Sequence, residues 1–442
     1  MSRRNLELVF LVLAGAVSTM AYVSVYAGRF REINRVSVVY GLIFVGIFLL
    51  LHVVERLFLP QADPFLLPIT ALLAAIGLTE IFRIRPALAL LQGQWLLVGA
   101  GLFVLTVLIV RDHMKLDRYR YLIGAVGLAL LIATIVLGTD PNQSGARLWI
   151  HAFGFSIQPS EFAKLAIVVF LAGYLDDKKV MLSVPQRHVL GVPLPAAKYF
   201  GPLLVMWILS LAMLVFMKDF GMGLLFMSIF VALMYMATAR AVYVAAGAGL
   251  FAIAGAIALA IVPHVQDRFA IWLNPWQDPI DKGYQLLQSL FTIADGGVVG
   301  AGFGRGYLLY PNRQPVVPDL QTDFIFTAIA NEMGLLGAAG VILLFLLFVW
   351  RGFRIAVYAP DGFSKLLAAG LATAFALQTF IIIGGVTRLI PLTGITLPFV
   401  SYGGSSITAN LMLVALLLMV SNRTNIIRGG SELERRRLAE RG

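Results

Sequence analysis

Asp278 stands in LNPWQDPIDKGYQ, residues 273–285, between Pro275 and Pro279 and beside Trp276. The prolines restrict the backbone. An aromatic neighbour that lowers local polarity would raise the carboxylate toward the range of a useful general base. Taken alone, the stretch also reads as an ordinary Asp-Pro turn, and local sequence favours the turn.

Four other groups place ionisable or helix-breaking residues where an apolar chain should not carry them by accident. In GARLWIHAFGFSIQPSEFAKL, residues 145–165, Pro159 opens a helix with Ser160 as its N-cap, and Glu161 and Lys164 share one face. The helix N-terminus, Lys164 and nearby Arg147 would suit a phosphate; equally, Glu161 and Lys164 would pair with each other and cap the helix. Lys218 and Asp219 in MKDFG form either a self-neutralising turn or part of a site. In QTDFIFTAIANEMG, Asp323 lies near a helix start as a dipole cap, and Glu332 lies about 13 Å deeper. In LPFVSYGGSSITAN, residues 397–410, Pro398, Gly403 and Gly404 interrupt an apolar span, and Ser401, Ser405 and Ser406 can satisfy the freed backbone groups. The glycine run GGVVGAGFGRG, residues 296–306, lacks a preceding strand and reads as a hinge rather than a phosphate loop.

The elements that must position these residues are membrane helices. Of the 442 residues, 60% are hydrophobic and only 13% charged, too few for a soluble surface. The fold class is therefore all-α, a polytopic bundle of about twelve spans of roughly 20 residues each. Their cores are expected at 7–27, 37–58, 64–81, 88–110, 120–137, 161–175, 197–216, 221–237, 241–262, 321–350, 366–385 and 396–420. Two connections are long, 138–160 and 263–320, and the aromatic residues of the second argue that it is ordered. The absence of cysteine excludes disulfides, thiol catalysis and thiolate metal sites.

With the N-terminus inside, the inner segments carry 21 Lys and Arg residues and the outer segments 12, so both termini are expected in the cytoplasm. That count assigns most of the net charge of +11 to orientation rather than to nucleic acid. The basic tail with Arg435, Arg436 and Arg437 is expected to rest on membrane lipid. In this orientation Arg147, Glu161, Lys164, Lys218, Asp219, Asp278, Asp323 and Arg388 all fall toward the outer half. Their clustering favours one outward cavity for an anionic, partly lipid-embedded substrate.

The ordered set GARLWI, QPSEFAKL, NPWQDP with GYQLLQS, TDFIF and LPFVSYGGSS resembles the SEDS family (shape, elongation, division and sporulation), which includes RodA and FtsW. The resemblance covers roughly residues 64–421 and leaves 1–63 as an additional helix pair and 422–442 as a basic cytoplasmic tail. It implies a ten-helix core with its extended outer loop at 263–320. It also implies a peptidoglycan glycosyltransferase polymerising lipid II at the outer face of the cytoplasmic membrane during cell elongation or division. It makes Asp278 the catalytic residue, reversing the local preference for a simple turn. Arg147, Glu161, Lys164, Asp219, Asp323, Glu332, Arg388, Ser401 and Ser405 become candidate substrate-binding residues.

The family commonly reads Gln-Pro-Asp-x-Gly-Thr where this chain has Lys218 for the proline and Met222 for the threonine. The implied partner is a class B penicillin-binding transpeptidase. A divalent cation, Mg²⁺ or Mn²⁺, could assist departure of the diphosphate, but the five histidines, His52, His113, His151, His188 and His264, lack ligand spacing. A lipid II flippase is the main rival reading, and a non-catalytic scaffold for a cell-wall synthase ranks third.

Overall fold

Backbone amides in hydrocarbon have no water to bond, so the long apolar runs satisfy them within α-helices. The computed structural model describes residues 2–30, 35–139, 148–152, 155–183, 187–189, 192–194, 208 and 219–439. Among these the regular elements are helices apart from two small antiparallel hairpins, Ile150–Ala152 with Phe155–Ile157 and Arg187–Val189 with Val192–Leu194.

The first seven helices are α1 (Arg3–Phe30), α2 (Arg35–Phe58), α3 (Leu66–Ile84), α4 (Pro86–Val110), the short α5 (Met114–Arg118), α6 (Arg120–Leu137) and α7 (Pro159–Ser183). After them come α8 (Phe220–Thr238), α9 (Ala241–Ile261), α10 (Pro263–Leu273), α11 (Tyr284–Asp295), α12 (Ile325–Tyr358), α13 (Gly362–Val386) and α14 (Gly404–Ala439).

Ten of these helices are long and apolar enough to cross a bilayer, and the chain is a multi-pass membrane protein. The expected span at 161–175 lies within α7, whose 25 residues carry Glu161 and Lys164 at one end and Asp176 to Lys179 at the other. Those charges, rather than length, set α7 apart from the ten. The expected span at 197–216 lies outside the described residues.

The best-shielded helix is α14: 94% of its apolar window is buried, against 11% for α9, so α14 is central and α9 peripheral. It packs along α4, while α6 lies on α7 and α12 on α13. Arg3 donates to the Gln61 carbonyl, Arg351 pairs with Asp63, and Arg423 pairs with Asp112. These contacts gather both described chain ends at one end of the bundle, the termini end. The opposite end carries the long connection 262–324.

Three expectations change. The segment 263–320 contains two helices, α10 and α11, joined through a 3₁₀ turn at Pro275–Gln277. The span expected at 396–420 becomes helical only at Gly404, and before it Arg388 and Phe399 adopt left-handed φ values of 61° and 64°. The tail at 422–442 is helical through Ala439, continuous with α14.

The additional helix pair, in which the sequence suggested no chemistry, holds a buried polar cluster. Arg4 pairs with Glu7 and Glu55, and His52 Nδ1 lies 2.5 Å from Glu7 Oε1. Arg4 and Glu7 are one turn apart on α1, and the packing of α1 on α2 brings His52 and Glu55 to them.

The glycine run forms a clasp. Gly334 breaks α12 with a φ of 66°. Ala301 and Gly302 N–H groups then bond the Asn331 and Glu332 carbonyls at 3.0 and 2.8 Å. Leu335 and Leu336 N–H groups bond the Gly297 and Val298 carbonyls at 2.9 and 3.1 Å. A Cβ on Gly300 would lie 2.3 Å from the Glu332 carbonyl oxygen, so only glycine permits the approach.

Candidate active site

Residues 274–284 form successive capped turns. Asn274 Oδ1 accepts from the Trp276 N–H at 3.2 Å, and Asp278 Oδ1 accepts from the Asp281 N–H at 3.2 Å. The Gly283 N–H donates to the Asp278 carbonyl at 2.8 Å. A side chain at Gly283 would meet the Pro275 carbonyl oxygen at 2.1 Å, so this glycine fixes the shape of the Asp278 turn. Asp278 is half-buried, and its Oδ2 accepts no hydrogen bond among the described residues. Trp276, the aromatic neighbour expected to lower the polarity around Asp278, is largely open to its surroundings. It packs on Phe291 with ring centroids 5.8 Å apart and remains 60% exposed.

The turn is folded back on α10 by Lys282, whose ammonium donates to Asp267 at 2.7 Å. Asp267 adjoins Arg268, a residue the sequence reading passed over. Arg268 is the only Lys or Arg in α10, a signal that would have found it. Its guanidinium donates to the Leu392 and Thr393 carbonyls at 3.2 and 2.8 Å. The next residue, Gly394, has no side chain; a Cβ there would lie 3.5 Å from Arg268 Nη2 and 3.7 Å from Asp323 Oδ2.

Asp219 caps α8, accepting from the Met222 N–H at 2.9 Å through Oδ1, while its buried Oδ2 has no partner among the described residues. This cap uses the Met222 backbone and therefore does not require the family's usual threonine. Burial pushes Asp219 up to about 6, against the opposing Met222 N–H and Arg268. Asp323 keeps an accessible edge but is enclosed by protein; burial and then Asp319 push it up to about 7, against Arg268. Burial pulls Arg268 itself downward, and both aspartates oppose that shift. Two carboxylates that resist ionisation thus share one half-buried cation beneath the 392–394 segment.

Deeper in the bundle, Lys164 donates to Glu161 at 2.8 Å and to Gln378 Oε1 at 2.6 Å. Gln378 donates onward to the Thr396 carbonyl at 3.0 Å, and Thr396 and Ser406 hydroxyls meet at 2.7 Å. Glu161 and Lys164 are each 1% exposed, so the pairing alternative describes them, not an open anion site. Ser160 is not the N-cap; it lies inside the first turn with a buried hydroxyl that has no partner among the described residues. Arg147 and Lys218 lie outside the described residues.

The sequence profile of the FtsW, RodA and SpoVE family, described as cell cycle proteins, matches residues 65–426. The chain belongs to the FtsW/RodA/SpoVE family. It is 41% identical to peptidoglycan glycosyltransferase RodA of Mycobacterium tuberculosis over 432 residues, 95% of this chain and 91% of that relative. It is 34% identical to stage V sporulation protein E of Bacillus subtilis, covering 81% of this chain and 96% of that one. Among solved structures, a chain of a peptidoglycan synthase complex coordinating polymerisation and crosslinking matches with a TM-score of 0.67 and 25% identity. That match covers 82% of this chain and 98% of the other. RodA of Thermus thermophilus matches at 0.56 and 25%, covering 81% and 96%.

Within this FtsW/RodA/SpoVE chain the remaining candidates bond to protein groups. Arg388 donates to the Trp272 and Leu273 carbonyls at 2.8 and 2.7 Å, and Trp272 Nε1 returns a bond to the Arg388 carbonyl at 3.1 Å. Ser401 Oγ donates to the Thr322 carbonyl at 2.5 Å, one residue from Asp323. Ser405 Oγ accepts from the Gln158 N–H at 2.8 Å, holding the start of α7 on α14. Glu332 accepts from Arg83 at 3.2 Å and from the Gly304 N–H at 2.8 Å, which anchors the glycine clasp. Among the described residues no group of three or more His, Asp or Glu side chains could hold a metal ion.

Proposed function

We propose that this peptidoglycan glycosyltransferase polymerises lipid II at the outer face of the cytoplasmic membrane, with Asp278 as general base. Asp278 Oδ2 takes the proton of the sugar 4-hydroxyl of an acceptor lipid II. The resulting oxygen attacks the anomeric carbon of the growing chain, the carbon–oxygen bond to undecaprenyl diphosphate breaks, and direct displacement turns the α linkage into β. One positioned base supplies about 10² to 10⁴-fold in rate.

The observation that carries this reading is the Lys282 to Asp267 contact, which folds the Asp278 turn back to within one residue of Arg268 on α10. A base with an unoccupied carboxylate oxygen is thereby tied to the helix that carries the half-buried Arg268. Arg268 is the group suited to the negative charge that develops on the departing diphosphate. Arg268 spends only Nη1 on carbonyls, whereas Lys164 and Arg388, which the sequence offered for that task, are bonded to Glu161 and Gln378 and, through Nε and Nη2, to two carbonyls at the end of α10. These two act as supports.

In this reading the loop end faces outward and both termini face the cytoplasm. The likeness to a chain of a synthase complex supports a class B penicillin-binding protein as partner. The test uses purified protein and fluorescent lipid II. Asp278→Asn keeps an oxygen to accept the Asp281 N–H and should polymerise about 10² to 10⁴-fold more slowly with unchanged thermal stability. Polymerisation by that variant at the parental rate would remove Asp278 from the chemistry.

A further inference from the structure

The loop end carries an aromatic strip that the chemistry at Asp278 does not use. On α11, Tyr284, Gln288 and Phe291 fall at i, i+4 and i+7 and so share one face. Tyr284 and Gln288 are half-buried, and Phe291 is exposed. The opposite face is mounted on the bundle: Leu286, Leu287, Ser289 and Thr292 are buried. The Ser289 and Thr327 hydroxyls meet at 2.6 Å, and Asn331 Nδ2 donates to the Thr292 carbonyl at 2.8 Å. Bolted to α12 in this way, the outward face is rigid before any ligand arrives.

A second aromatic ring extends each end of that face. Trp276 packs on Phe291, and at the other end the Tyr284 and Tyr310 hydroxyls meet at 2.9 Å. Between them the Gln288 amide makes no hydrogen bond among the described residues. A helix face turned to hydrocarbon presents aliphatic side chains, but here Leu286 and Leu287 point inward and the outward positions hold rings, a hydroxyl and a free amide. Aromatic rings stack on the C–H faces of pyranoses, and amides bond their acetamido groups. The seven residues from Tyr284 to Phe291 advance about 10 Å, close to the length of one β-1,4-linked disaccharide. Trp276 stands two residues before Asp278, so the strip is continuous with the turn that carries the base.

We propose that Trp276, Phe291, Gln288, Tyr284 and Tyr310 form a subsite for a β-1,4-linked amino-sugar disaccharide, the unit of the glycan strand next to the one reacting at Asp278. Trp276 and Phe291 stack on one ring, Gln288 bonds its acetamido group, and the two tyrosines offer hydroxyls to the other ring. The strand thereby stays on the enzyme between transfers. Placement beside the reacting sugar rests on Asp278 as the base; affinity for the glycan does not.

The test titrates the detergent-purified full chain with N-acetylchitotetraose, a soluble β-1,4-linked amino-sugar oligomer, by saturation-transfer NMR, and measures strand length from fluorescent lipid II. Trp276→Ala should weaken the oligomer by about tenfold and shorten the strands. Trp276→Tyr, which keeps a stacking ring, should restore most of both. The exposed position of Trp276 predicts a parental thermal midpoint for each variant. Asp278→Asn should bind the oligomer as the parent does while polymerising slowly; parental polymerisation with intact binding would remove the base and leave the subsite standing. Parental binding by the double variant Trp276→Ala with Phe291→Ala, or strands of parental length from it, would overturn the proposal. Brominated phosphatidylcholine in nanodiscs should quench the parent and Trp276→Tyr alike. Stronger quenching of the parent would place the Trp276 ring in the leaflet and overturn the choice of a glycan.

Discussion

Lys164 and Glu161 form a buried ion pair one helical turn apart, with their charged atoms 2.8 Å from each other. Gln378 Oε1 accepts a second hydrogen bond from Lys164 and ties the pair to α13. Removal of one partner strands a charge in the bundle, which costs about 3–5 kcal/mol. Lys164→Met or Glu161→Gln should therefore lower the thermal midpoint in detergent sharply. The double variant should recover much of the loss, because no unpaired charge remains. A Lys164→Met protein with parental stability and no polymerisation would mark Lys164 as a substrate contact rather than a support.

Asp323 and Asp219 predict a pH dependence of known sign. Burial raises both above the ordinary carboxylate value, so between about 4 and 7 the folded state binds more protons than the unfolded chain. Their contribution to stability is complete below the unfolded value and is lost as pH rises through about 6 for Asp219 and about 7 for Asp323. Asp323→Asn should gain thermal stability relative to the parent as pH rises from 5 to 8. Parallel profiles for parent and variant across that window would contradict the burial of Asp323.

The clasp at the α12 break makes a prediction about backbone alone. Gly334 combines a φ of 66° with a ψ of −169°, a region that only glycine occupies readily, and a Cβ there would lie 2.3 Å from the Gly300 nitrogen. Gly334→Ala should cost at least about 3 kcal/mol, from conformational strain plus displacement of the glycine run. Gly340→Ala, in the same helix with open space around it, should be neutral or stabilising by about 0.5–1 kcal/mol. Comparable midpoints for the two variants would show that the clasp does not hold.

Arg388 separates positioning from charge. Its Nε and Nη2 reach two successive carbonyls at the end of α10, immediately before the Asp278 turn. A lysine carries the charge but not the fork. Arg388→Lys and Arg388→Ala should both reduce polymerisation, by about 10²-fold if the turn shifts by an ångström. The loss should fall in kcat. Rescue of activity by lysine would instead favour direct contact with the diphosphate.

Much of this protein could be read in one dimension. Hydrocarbon forces backbone groups to bond within a helix, so span positions follow from local composition, and α3, α4, α6, α8, α9 and α13 appear close to where apolar runs place them. The ordered motifs around Asp278, Glu161 and Asp323 likewise identified the family, because each motif is contiguous in the chain. The charge partners were not legible. Glu161 meets Gln378 across 217 positions, Arg268 meets Thr393 across 125, and Arg4 meets Glu55 across 51. Residue type says that a buried charge must be compensated, but only packing says by what. So sequence could not distinguish an open anion site at Lys164 from a sealed pair, nor see that Arg388 braces a turn while Arg268 faces the two aspartates. The tertiary structure decided those roles, since a side chain's chemistry depends on which of its donors and acceptors the fold leaves unspent.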